Sequence, residues 1–65
     1  MSDPRKELWD EGLAYLGRKN APFIGRLLKL SGDDPEAVLD EIRVAKARGV
    51  ADPKSFLLAT FQGSY

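Results

Sequence analysis

Apolar side chains recur at helical spacing in four stretches of the chain, and polar clusters containing Gly or Pro separate them. The most strongly patterned stretch runs from Asn20 to Leu30. It sets Phe23, Ile24, Leu27, Leu28 and Leu30 on a stripe wide enough to face several neighbours, which predicts the central helix of the fold. Gly25 interrupts that helix at a cost of about 0.5–1 kcal/mol relative to alanine, and predicts a backbone passing close by. Arg26 and Lys29, three residues apart, form a basic ridge on the exposed side.

Asp-Pro pairs punctuate the chain at Asp3-Pro4, Asp34-Pro35 and Asp52-Pro53, each just ahead of an apolar helical pattern. An aspartate accepts hydrogen bonds from the free N–H groups of a first turn. Proline at the first helical position sacrifices no donor and has its φ already set. Together with Asn20 as a cap for the second segment, these signals predict helices over about 4–18, 21–31, 35–48 and 53–62. The third helix can be capped by Asp33, with Glu36 as a capping-box partner, or by Asp34 with Pro35 next; the pattern leaves both open. Gly32 suits the left-handed position that ends the second helix, and Gly49 closes the third. Short connections make successive helices spatial neighbours, and no stretch alternates as a strand would. The expected fold is an all-α single domain, a compact bundle of four short helices.

In the first helix, Leu8, Trp9, Gly12, Leu13 and Leu16 share the apolar stripe, while Glu7, Asp10, Glu11 and Arg18 lie outside it. Lys6 with Asp10 is an expected i,i+4 ion pair, and Glu7 with Glu11 is a like-charge pair at the same spacing. The third helix buries Val38, Leu39, Ile42 and Ala45, with Val44 at the edge. Its acids precede its bases, an order that complements the helix dipole. The fourth carries Phe56, Leu57, Leu58, Ala59, Thr60 and Phe61, apolar nearly all round, which implies either deep burial or an exposed apolar surface. The tail from Gln62 to Tyr65 is expected to fray.

At 65 residues with no Cys and no His, the chain has neither disulfide nor zinc to supplement its 43% apolar residues. Ten basic and ten acidic side chains cancel, so only local patches can attract a charged partner. No apolar run approaches the roughly 20 residues of a membrane span. A soluble, cytoplasmic protein without a membrane partner is expected.

Catalytic parts are missing from the sequence. There is no His or Cys to act as base or nucleophile, hydroxyls sit near caps, turns or ends, and no glycine-rich phosphate loop is present. Asp33, Asp34 and Glu36 could hold a cation, but helix capping accounts for acids at that position. No cofactor, metal or catalytic residue is assigned, and the chain is expected to bind rather than catalyse.

Three surfaces offer binding chemistry. Arg18, Lys19, Arg26 and Lys29 would be drawn together by the short first connection, able to meet phosphates or an acidic protein, with Tyr15 nearby as a stacking platform. Glu7, Asp10, Glu11, Asp40 and Glu41 form a candidate acidic face for a basic partner. The terminal helix, with Lys54, Phe56 and Phe61, is a candidate interaction helix. Leftover apolar residues there would also permit a homodimer.

Ile24-Gly25-Arg26-Leu27-Leu28-Lys29, Gly32-Asp33-Asp34, Val38-Leu39, Ile42, Ala45-Lys46-Ala47 and Ala51-Asp52-Pro53-Lys54-Ser55-Phe56-Leu57-Leu58-Ala59 carry a likeness. This pattern, reaching back to Leu8-Trp9 and Gly12, resembles the helical C-terminal segment of phage and prophage replication proteins, similar in outline to primosomal and helicase-loading proteins of the DnaD and DnaT type. The resemblance implies a non-enzymatic module of replication initiation that contacts single-stranded DNA or a replication protein through its last helices. It points to Lys54, Phe56 and the segment after Phe61, although Gln62 to Tyr65 contains no basic residue. A free-standing helical chain with a phage-like sequence also suits a second class, an anti-CRISPR-like inhibitor that docks on a host nucleic-acid-binding complex and blocks DNA access. There the acidic face would meet a basic channel. A protein partner is expected in either case, with nucleic acid as the other class.

Overall fold

Each Asp-Pro pair starts a helix in the computed structural model, which describes residues 3–64. The chain forms α1 (Pro4–Leu16), a single 3-10 turn (Arg18–Asn20), α2 (Ala21–Leu30), α3 (Pro35–Arg48) and α4 (Pro53–Ser64), with no strand among the described residues. The Asp3 carboxylate accepts the Arg5 N–H at 3.0 Å, and Asp34 accepts that of Ala37 at 3.2 Å. Asp52 accepts the Ser55 N–H at 3.3 Å and its hydroxyl at 2.8 Å. Asp34 is therefore the cap of α3. Asp33 stands outside it in left-handed backbone, φ 61°, with its carboxylate 3.1 Å from Arg5.

The helix ends follow the glycines. At the end of α2, Asp33 N–H reaches the Leu28 carbonyl at 2.7 Å and Gly32 N–H that of Lys29 at 3.3 Å, with Gly32 at φ 78°. Val50 and Gly49 repeat this pairing on Ala45 and Lys46. Both are Schellman closures, which satisfy the orphan carbonyls of a last turn. α1 stops at Leu16, two residues before the expected Arg18, because Gly17 at φ 101° turns the chain out of the helix. α4 instead runs on to Ser64, so the expected frayed tail is helical as far as it is described; Tyr65 lies outside the described residues.

α1 and α3 form the most extensive helix pair, and α2 and α3 each pack against all three other helices. The core contains Leu8, Ile24, Leu27, Leu28, Val38, Leu39, Ile42, Ala45, Leu57 and Phe61. Burying each large member contributes about 1.5–3 kcal/mol, which a small chain without cross-links requires. Phe56 and Leu58 pack half-buried against this core, so the apolar girdle of α4 is partly covered, and among the described residues Val44 is the large apolar side chain left exposed.

Gly25 does not meet a neighbour: a Cβ placed there would find no atom of another element within 4 Å. The close approach is at Gly12, where α1 lies against Ile24. α2 carries the basic ridge on its exposed side, as expected from its pattern.

Candidate functional site

Three elements bring cations to one groove beside the first turn of α2. Lys19 comes from the 3-10 turn, Arg26 from the second turn of α2 and Lys54 from the start of α4, around Asn20, Pro22 and Phe23. The groove is open, with a volume near 290 Å³, and has no acidic lining residue. None of the three cations is in an ion pair among the described residues.

Asn20 and Phe23 position Lys54. Asn20 does not cap α2 with its side chain; it donates to the Leu16 carbonyl at the end of α1 and accepts from Lys54 Nζ at 3.2 Å. The same ammonium stands 5.3 Å from the centroid of the Phe23 ring. A cation over an exposed ring gains about 0.5–1 kcal/mol, and an amide oxygen is a neutral acceptor. The Lys54 ammonium is thus held by a neutral amide oxygen and a ring face and by no carboxylate among the described residues, which leaves its charge uncompensated.

The other expected basic residues divide. Lys29 lines an adjoining groove of about 590 Å³ with Pro22, Gly25, Arg26, Leu28 and Asp33, so Arg26 is shared between the two. Arg18 is separated from them. The turn at Gly17 directs it to a different groove, with Trp9, Asp10, Leu13 and Ala14. Tyr15 packs half-buried on the core and does not line the cationic groove. Phe23, which the sequence pattern counts only among the apolar stripe, is the aromatic that does. Its signal was its place in the first turn of α2, where a stripe residue lies at the end of the core.

Of the candidate interaction helix, Lys54 reaches the groove and Phe56 lies half-buried beneath the Arg48 guanidinium, 5.6 Å from its ring centroid. Phe61 is fully buried, because its face of α4 turns into the bundle, and it cannot serve as a surface contact.

The acidic face is partly neutralised from within. Arg43 of α3 bonds Glu11 at 2.7 Å and lies 3.9 Å from Glu7, which resolves the like-charge pair of α1. The hydrogen bond from Arg43 holds the Glu11 carboxyl below its ordinary value and raises the Arg43 guanidinium. Asp40 shares a groove with Glu7, Glu36 and Arg43, Asp10 lies beside Trp9, and Glu41 is half-buried. The ion pairs among the described residues are those of Arg5 and Arg43; the expected Lys6–Asp10 pair is not formed.

No cluster of metal-ligating side chains occurs among the described residues, and no helix there is long and apolar enough to cross a membrane. No protein-family model matches the chain, and no curated protein or solved structure matches it either.

Proposed function

We propose that the chain is a non-enzymatic binding module of nucleic-acid processing, of the kind implied by its resemblance to replication and helicase-loading proteins, and that it contacts the phosphate backbone of DNA. One observation supports this reading above the rest: Lys19, Arg26 and Lys54 share a groove without an acidic lining residue and make no ion pair among the described residues. Cations outside the groove also lack ion pairs among the described residues, Arg5 and Arg43 excepted, so what sets the groove apart is three cations from three elements with no acidic lining residue. In a chain whose ten basic and ten acidic residues cancel, such a groove is locally positive although the molecule is neutral. Phosphate oxygens are the acceptors that suit a cluster of Lys and Arg, and Lys29 extends the track along α2.

The test is titration of labelled single- and double-stranded oligonucleotides at two salt concentrations, with Trp9 fluorescence as a second signal. Binding should weaken with salt, with a slope near 0.7 per phosphate contact on single strands. Replacing Arg26 and Lys54 by alanine should weaken affinity and flatten that slope. Binding that is absent at low salt, or indifferent to both substitutions, would remove the reading.

A further inference from the structure

We infer that Phe23 is a base-stacking platform and that the cationic groove accepts one nucleotide unit of single-stranded DNA, an inference that rests on the backbone-binding reading above. The aromatic ring stands in the midst of the three cations, half-buried against the core on one side and facing Lys54 on the other. A flat ring fixed among phosphate-binding cations is the pairing by which proteins hold unpaired strands, since every base has a π-face. Bases within a duplex have both faces covered by their neighbours, so the ring selects single strands. The groove's 290 Å³ lies at the lower edge of the roughly 300–1,000 Å³ of small-molecule pockets, matching one flat group rather than a folded ligand.

Lys54 links the two contacts. In the free protein its ammonium covers the Phe23 ring and is held otherwise by the Asn20 amide oxygen. A phosphate entering between Lys19, Arg26 and Lys54 offers that ammonium a charged acceptor and draws it off the ring. The bared face is then open to the base attached to the same phosphate. Backbone capture thus exposes the stacking surface, and neither contact requires a particular base.

The experiment compares a fluorescein-labelled oligothymidylate with an abasic strand of the same length and with a duplex, using the full chain and its Phe23→Leu and Phe23→Tyr variants. Wild type should bind the oligothymidylate roughly tenfold more tightly than the abasic strand. Phe23→Leu should lose that difference while both strands keep binding with the same salt slope, and Phe23→Tyr should keep it. An independent readout uses the wild-type chain alone: Phe23 ring proton resonances should shift further with the oligothymidylate, through the ring current of a stacked base, than with the abasic strand, which only draws the Lys54 ammonium away. If Phe23→Leu still distinguishes the two strands, or the ring resonances respond alike to both, the platform is overturned while backbone binding stands. If neither strand binds wild type at low salt, the backbone reading itself has failed and the platform with it.

Discussion

Gly12 of α1 lies against Ile24 of α2 so closely that a Cβ on position 12 would stand 2.7 Å from the Ile24 Cδ1 and 3.4 Å from that of Ile42. Both isoleucines are buried in the core, which leaves their tips little room to turn aside. Alanine would gain about 1 kcal/mol in helix propensity, whereas overpacking costs about 1–3 kcal/mol. The overpacking term prevails, so Gly12→Ala should lower urea-unfolding stability by about 1 kcal/mol. Adding Ile24→Val removes the offending methyl, and the double variant should be more stable than the sum of the single effects predicts, by about 1 kcal/mol. Strict additivity would show that the two positions do not press on each other.

Gly25 presents the opposite case. It is helical, its φ is not positive, and no neighbour stands within 4 Å of a Cβ there. Gly25→Ala should therefore stabilise the fold by about 0.5–1 kcal/mol through the helix term alone. In a domain of this size the thermal midpoint should rise by roughly 4 °C. A lower midpoint would mean that the backbone at this point needs glycine.

Phe61 separates a structural role from a binding one. Truncating a fully buried phenylalanine costs about 3–5 kcal/mol, and a chain of 65 residues has a stability of only about 3–10 kcal/mol. Phe61→Ala should lose much of its helical circular dichroism at 37 °C or unfold at a far lower urea concentration. Lys54→Ala should leave the spectrum intact and alter only oligonucleotide binding. Equal stability of the two variants would contradict the burial of Phe61.

Two carboxylates make the fold sensitive to acid. Glu11 is held below its ordinary value chiefly by the Arg43 hydrogen bond, and Asp52 by the hydroxyl and then the N–H of Ser55. Their folded values lie below the unfolded ones, so the unfolded chain takes up protons first. The stabilisation is present above the ordinary carboxylate value near pH 4 and is lost as pH falls through the lower folded values. Thermal midpoints should be flat from neutral pH to about pH 5 and decline below it. Asp52→Asn retains a capping side chain but not the charge, so it should shallow the decline. An unchanged decline in Asp52→Asn and Glu11→Gln would assign it to other groups.

The helix starts were legible in the sequence because their cause is local. An aspartate bonds an N–H two or three residues ahead, and proline follows it in the chain. The choice between Asp33 and Asp34 was not legible, since each has the right chemistry and only the Gly32 turn and the reach of Arg5 separate them. Gly12 and Gly25 both interrupt an apolar helical pattern; which one meets a neighbour depends on how two helices cross. Asn20 shows a local rule yielding to tertiary structure, because its side chain joins the end of α1 to Lys54, 34 residues away. The basic ridge of Arg26 and Lys29 could be read from spacing. Its union with Lys54 and Phe23, and the departure of Arg18, depend on the packing of α4 against α2 and on the positive φ of Gly17.

The division of charge between grooves has a consequence for encounter. One groove is lined by Lys19, Arg26 and Lys54, another by Glu7, Glu36 and Asp40 around Arg43. A molecule whose charges cancel in sum but occupy different places has an electric dipole moment. A polyanion therefore exerts little net pull on it from afar but a torque as it nears, so collisions become oriented before they become attractive. Such alignment survives only within about a Debye length, near 8 Å at physiological ionic strength. Partner choice would then be decided at short range, by rotation rather than by capture.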